Sequence, residues 1–289
     1  MINRFASYLP ATDERRAPWP LIVEAAADRV AVAALARNAV LTMLVTNPSG
    51  GLEVRSGGAG FAGRMSPADI ECSRRPSSHV GMPNYVGLVQ TPSVANQRRS
   101  TWFESLNERS HYVDMQLTLP VVSMVAQPVR IAWRLPSGVR EHWPDALVEQ
   151  QGAGRILVDV TRKAKLDDPQ ALAIFVVTAE TAAAAGWEYQ LRTEMPAQRS
   201  RNLRWLWSYY CEELPEGWDE ATADLPTAPC TVADAAEHLG GGVVGRCRVW
   251  RLVATQRAWL DLDRPITLAS EVQWVRPQPE GNSPWIATL

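Results

Sequence analysis

Three acidic residues carry the spacing that could do chemistry: Asp145, Asp159 and Glu108. Asp145 ends the run HWPD (His142–Asp145), and Asp159 lies fourteen residues later in LVDVT (Leu157–Thr161). The residues beside each read as strands, and Glu149–Gly154, rich in Gly and Gln, reads as the turn between them. Asp145 then falls at the end of one strand and Asp159 at the end of the next. Two carboxylates on adjacent strand ends can share a hard divalent cation. Mg²⁺ is usually held by one or two carboxylates and keeps several waters for a substrate phosphate. Glu108, in WFESLNERS, would complete such a site from a helix. The chemistry this set suggests is metal-dependent cleavage of a phosphodiester.

The surrounding pattern predicts elements that could position these acids. Ser100 or Thr101 can cap a helix in which Phe103, Leu106, Ser110, Val113 and Leu117 form one apolar face. Glu104 and Glu108, four apart, share another face, where acids are ordinarily solvated. Val121–Val125, Pro128–Leu135, Val139–Val148 and Arg155–Val160 read as strands, with Pro136-Ser137-Gly138 as a turn. Asp167 or Asp168 caps a helix closed by Gly186. Trp187–Arg192 is a further strand and Arg199–Tyr210 a further helix. The succession makes one α/β domain, placed over residues 97–212.

Upstream, residues 1–96 read as an N-terminal extension. Val23–Arg37 is a candidate helix, and Ala39–Val45 and Leu52–Arg55 flank the hairpin signal NPSGG. Gly57–Asn96, rich in Gly, Pro and Ser, reads as irregular. Downstream, the acidic, Pro-containing stretch Glu213–Ala228 marks a boundary. Residues 213–289 then offer a helix from Thr231, a Gly240–Gly242 turn, a helix over Val243–Thr255, and strands at Ala258–Leu262 and Ile266–Trp274. Two helices followed by a hairpin is the order of a winged helix.

Composition bounds the function classes. Of 289 residues, 46% are hydrophobic and 21% charged, which suits packed domains rather than disorder. A net charge of −2 argues against coating nucleic acid by bulk charge and leaves room for a local basic face. Arg199, Arg201 and Arg204, beside Trp205 and Trp207, are the candidate phosphate contacts. The twelve Trp are first of all packing residues. The four Cys form no CxxC pair and have no His at zinc spacing, so they read as reduced, buried thiols of a cytoplasmic protein. No segment reads as a signal peptide or a membrane span.

Taken together, WFESLNERSHYVDMQL, VVSMVAQPVRI, GVREHWPDALV and RILVDVTRKAKL resemble the actinobacterial branch of TnsA-like transposon endonucleases, within the PD-(D/E)XK nuclease superfamily. The later AGWEYQLRTE and SRNLRWLWSYY also resemble it. The resemblance covers about Gln97–Tyr210 well, the C-terminal third loosely and the first ninety or so residues hardly at all.

It implies a restriction-endonuclease-like core with a mixed central sheet flanked by helices, plus a small winged-helix-like α+β domain. It also implies metal ligands at Glu108, Asp145 and Asp159, and Mg²⁺ with Mn²⁺ able to substitute. The implied activity is nicking of one strand of double-stranded DNA at transposon ends. The implied partners are a DDE-type transposase subunit and an AAA+ regulator ATPase. The family lysine position is Thr161 here, which carries no charge. If the strand continues, Lys163 shares the face of Thr161 and is the candidate substitute.

Three readings stay open: an endonuclease, a nuclease-fold assembly factor that contacts transposase and DNA, and a structural domain whose acids are surface charges.

Overall fold

The computed structural model describes residues 9, 14–74, 85–92, 98–211, 228–274 and 286–287. The protein is mixed α/β, and its strands pair mostly antiparallel. It divides into two compact units. The first comprises Met1–Arg109, Val121–Glu194 and Pro284–Leu289; the second comprises Ser110–Pro120 and Met195–Ser283.

The first unit opens with two helices, α1 (Trp19–Ala26) and α2 (Arg29–Arg37), where the sequence suggests one. The break is made by Asp28, whose Oδ1 accepts the Val30 amide at 2.8 Å and so caps α2. The hairpin signal is realised as β1 (Val40–Thr46) and β2 (Leu52–Gly57), paired from Leu41↔Gly57 to Thr46↔Leu52. Asn47 Oδ1 closes its turn by accepting the amides of Ser49 and Gly51 at 3.1 and 2.8 Å. The stretch read as irregular also contains α3 (Ala59–Arg64), β3 (Ile70–Glu71) and β4 (Gly87–Pro92). Its parts over 75–84 and 93–96 lie outside the described residues.

Ser100 and Thr101 cap no helix, because they lie inside β5 (Arg98–Phe103), which pairs with β4. The helix begins later, as α4 (Leu106–Thr118). Ser105 caps it: its Oγ accepts the Glu108 amide at 3.1 Å. Phe103 is therefore buried from a strand, and Leu106 is exposed.

The central feature is one long antiparallel hairpin bent into two sheets. Its first arm is β6 (Val121–Ala126) and β7 (Arg130–Leu135); its second is β8 (Gly138–His142) and β9 (Ala146–Gln150). β7 pairs with β8, and β6 with β9. The bend falls at Gln127, which has φ +43°, and at Trp143–Asp145. Val139–Val148 is thus not one strand, since Pro144 has no amide to give to a ladder.

β7 also pairs with β1, so the hairpin β1–β2, read as part of an N-terminal extension, completes the sheet β2-β1-β7-β8. The second sheet runs β14-β11-β10-β9-β6, with β10 at Gly154–Val160, β11 at Glu188–Arg192 and β14 at Ile286–Ala287. β10 and β11 are parallel, joined through α5 (Pro169–Ala184). Asp168 caps α5 and Gly186 (φ +77°) follows its end, as the sequence predicts.

One apolar core serves both sheets and helices α1, α2 and α5, with Leu41, Met43, Ile131, Trp133, Leu157 and Val177 almost wholly buried. Trp133 Nε1 donates to Thr181 Oγ1 at 3.0 Å, so the largest core side chain also meets its polar requirement.

The second unit contains α6 (Ala197–Cys211), β12 (Cys230–Thr231), α7 (Val232–His238), α8 (Gly242–Ala254) and β13 (Glu271–Val272). Thr231 and Asp234 form a reciprocal capping box for α7. Because α6 belongs here, the division falls near Glu194 rather than at residue 212. Most of the acidic stretch read as a boundary lies outside the described residues. The expected strands Ala258–Leu262 and Ile266–Trp274 are not formed at that length. In their place β13 pairs with β12, and Trp259 bridges to Gln273. Pro265 and the turn residues between those segments interrupt any longer ladder. Among the described residues no helix is long and apolar enough to cross a membrane.

The four cysteines are free thiols, but the expectation that all are buried is corrected: Cys211 is exposed and the others are half-buried. Cys72 is the most enclosed, and its surroundings push its pKa up to about 11.

Candidate active site around Asp145 and Asp159

The hairpin β9–β10 sets the geometry of the two aspartates. Its last registered pair is Val158↔Ala146, and Asp159 and Asp145 are the next residues along the two strands. Asp145 therefore precedes its strand rather than ending one, and Asp159 is the penultimate residue of β10. The Asp145 amide donates to Val158 O at 2.9 Å, and its carbonyl accepts from the Gln127 amide at 2.8 Å. The Asp145 Oδ2 accepts the Val160 amide at 2.6 Å. Asp145 is thus fixed at the bend by backbone bonds on both sides.

Asp159 is buried and held by side chains. Tyr189 donates its hydroxyl to Asp159 Oδ2 at 2.7 Å, and His142 Nε2 lies 2.9 Å from each carboxylate oxygen. Tyr189 reaches it because Leu157 is registered with Tyr189 across the parallel pair. Asp159 is two residues along on the same face.

Glu108 is buried in the first turn of α4. Its Oε2 accepts the Glu104 amide at 2.8 Å and its Oε1 the Ser105 hydroxyl at 2.9 Å. Glu104 precedes the helix and is not on a solvated helical edge. Its Oε1 accepts from Arg74 Nη2 and from Gln127 Nε2, each at 2.8 Å. Arg74 also donates from Nε to Gln127 Oε1 at 3.0 Å and lies over the Trp143 ring, 5.6 Å from its centroid.

These acids feel one another. Burial pushes Asp145 well above the usual carboxylate range, and the charges of Glu108 and Asp159 push it further, against the Val160 amide. Burial also raises Glu108; the Glu104 amide and Ser105 hydroxyl oppose it, Glu104 adds to it, and Arg74 relieves it. Tyr189 is raised by burial and then by the negative charge of Asp159. The sequence-selected trio is therefore brought into one electrostatic neighbourhood.

Lys163 is not placed as expected. β10 ends at Val160, and Thr161 makes one last backbone bond, to Arg192 O at 2.8 Å. The chain then turns into a one-turn 3-10 helix, Lys163–Asp167. Strand alternation no longer carries Lys163 to the face of Thr161. Its side chain is exposed, and its amide donates to Glu194 Oε2 at 2.8 Å. A cation beside the acids is Arg74, from the stretch read as irregular.

The Arg candidates on α6 also separate. Arg199 is committed to the fold: Nη2 pairs with Asp114 Oδ1 at 2.6 Å and Nη1 with Asp263 Oδ1 at 3.4 Å, and its side chain is mostly covered. Arg201 and Arg204 are exposed, bonded only lightly to Gln198 Oε1 and to Ser200 O.

Among the described residues no group of three or more His, Cys, Asp or Glu side chains is arranged to hold a metal ion. The carboxylate oxygens named above are directed to protein donors instead. No family model matches the chain, and no curated protein matches it.

Acid spacing along the chain did not single out Glu104, Arg74, Gln127, Tyr189 or His142 as site residues. Only His142 carried a local signal, its place two residues before Pro144. The others arrive by long-range pairing.

Proposed function

We propose that the protein is a metal-dependent DNA endonuclease, a TnsA-like subunit that nicks one strand at transposon ends. The single observation that carries this reading is the crowding of Glu104, Glu108, Asp145 and Asp159, close enough for three of the charges to raise the fourth. Crowded carboxylates at a hairpin bend are costly to a fold and of use to a cation-dependent site. Oxygen donors of this kind are the ones a hard divalent ion such as Mg²⁺ or Mn²⁺ takes; Asp145 and Asp159 would be the principal ligands and Glu108 the third, with the ion displacing protein donors that these carboxylates now meet. When bound, such an ion supplies a Lewis acid and an activated water.

The chain's own residues do the rest. His142 and Tyr189 hold the Asp159 carboxylate in place, and Gln127 holds both the Asp145 carbonyl and Glu104. Arg74 takes over the charge that Thr161 lacks, near Glu104 and Glu108, where a phosphate would otherwise meet only acids. Arg201 and Arg204 contact DNA phosphates; Arg199 does not.

The fold is consistent with this reading. An antiparallel hairpin carrying the acids, a helical crossover and a parallel neighbour strand suit a restriction-endonuclease-like core. Helix, short strand, two helices and two further β segments suit a winged-helix-like second domain. The DDE-type transposase and the AAA+ regulator remain the partners this reading implies.

A second reading has its own support. Asp159 already accepts from two side chains, and Lys163 is exposed on a 3-10 turn, which suits a nuclease fold turned to DNA binding and assembly.

The deciding experiment is nicking of supercoiled DNA by the purified protein with Mg²⁺ or Mn²⁺, with and without its transposase. Wild-type nicking that disappears in Asp145→Ala supports the enzyme. Absence of nicking in every condition, with DNA or transposase binding intact, selects the assembly factor.

A further inference from the structure

The second unit carries an open groove of about 390 Å³ that the nuclease reading does not use. It is lined by Trp205 and Tyr209 on α6, Trp250 on α8, and Val243 and Leu268. These are not core residues that happen to show an edge: Trp205 is 40%, Val243 66% and Leu268 47% exposed. Exposed apolar side chains lining one concavity mark an interaction surface more often than scattered ones do.

Among the described residues, Arg246 is the only charged one lining the groove. Its Nε donates to Gly242 O at 3.1 Å, which holds the side chain along the start of α8. Arg201 and Arg204 are exposed on α6, the helix that supplies Trp205 and Tyr209. Among the described residues no carboxylate lines the groove.

We propose that this groove docks a peptide segment of a protein partner in which large apolar side chains alternate with carboxylates. The apolar side chains fill the space against Trp205, Trp250 and Leu268, and the carboxylates meet Arg246. A nucleic-acid strand fits less well. Trp205 packs edge-on against Trp250, ring planes at 64° and centroids 4.6 Å apart, and the walls are aliphatic. Base stacking calls for open aromatic faces along a continuous basic track.

The test uses the full chain as bait for a displayed random library of peptides about twelve residues long. Selected peptides are then synthesised, and their affinities measured by fluorescence anisotropy. The selected sequences are expected to combine aromatic or Leu residues with Asp or Glu. Val243→Glu and Arg246→Glu, both changes at the groove wall, should each weaken binding at least tenfold without lowering the melting temperature. Replacing the peptide acids by Lys should abolish binding to wild type and restore binding to Arg246→Glu. Selected peptides without acids, binding unaffected by both variants, or failure to select any peptide overturns the proposal. Displacement of the peptide by a single-stranded oligonucleotide overturns it in favour of nucleic acid. Self-association lost in Val243→Glu, seen by sedimentation, overturns it in favour of a second copy. Peptide binding and nicking are read independently, so either proposal can fail while the other stands.

Discussion

The hydroxyl of Tyr189 donates to Asp159 Oδ2 across 2.7 Å, although thirty residues separate them. The bond couples two strands that become neighbours only through the α5 crossover. It holds a carboxylate that is 3% exposed at its side chain. A hydrogen bond to such a charged group contributes roughly 1.5–3 kcal/mol. Tyr189→Phe removes the donor and little else. It is expected to lower unfolding free energy in urea by about that amount, with an unchanged m-value. A loss under about 0.5 kcal/mol would mean that the His142 contact alone satisfies Asp159.

Asp145 sets a pH dependence of stability. Its folded pKa lies well above the value near 3.9 of an unfolded aspartate. The folded state therefore holds the proton more tightly. The stabilising contribution is fully present below the unfolded pKa and is lost as pH rises through the folded pKa. Asp145→Asn keeps an acceptor for the Val160 amide and removes the charge. Its melting temperature should exceed that of wild type at pH 8, and the gain should shrink as pH falls toward about 4. A difference independent of pH would show that charge crowding is not the cause.

The same crowding predicts a response to divalent ions. Mg²⁺ or Mn²⁺ should raise the melting temperature of wild type, since a ligand of the folded state alone stabilises it. Asp145→Asn should respond less. Equal shifts in both proteins would place the ion elsewhere.

Arg74 and Lys163 make opposite predictions in the nicking assay. Arg74→Ala removes the cation paired with Glu104 and should reduce nicking roughly 10²-fold. Lys163→Ala changes an exposed side chain and should leave the rate within about twofold. The reverse ranking would restore Lys163 as the functional cation.

Arg199 and Arg201, two residues apart, should separate stability from DNA binding. Arg199→Ala removes the guanidinium that pairs with the buried Asp114 carboxylate, a loss of about 3–5 kcal/mol. Arg201→Ala should change stability by less than about 0.5 kcal/mol and flatten the salt dependence of DNA binding. Denaturant melts and titrations at several salt concentrations check both. A mild Arg199→Ala would mean the Asp114 pair is not worth its burial.

Where the sequence carried local information, elements were legible. The Asn47 turn, the Asp168 cap, Gly186 after α5 and the Thr231 box depend on neighbours within a few residues, so residue type specified them. The nearness of Glu108, Asp145 and Asp159 was legible in part, because a short hairpin joins the two aspartates and Ser105 fixes the glutamate at a helix start. What local pattern could not show was the bend. Val139–Val148 reads as one strand by propensity, yet Pro144 gives no amide and Gln127 takes a positive φ opposite it.

By itself, then, the sequence determined the mixed α/β class, most helix and turn boundaries, and which acids to suspect. Tertiary structure alone decided that the first hairpin completes the β7–β8 sheet, that Tyr189, Glu104 and Arg74 join the acids, that Lys163 is exposed on a 3-10 turn, and that Arg199 pairs with Asp114. The reason is physical. Caps, turns and periodicity are set by contacts along the chain, whereas burial, charge crowding and ion pairing depend on which distant residues the sheet register brings together.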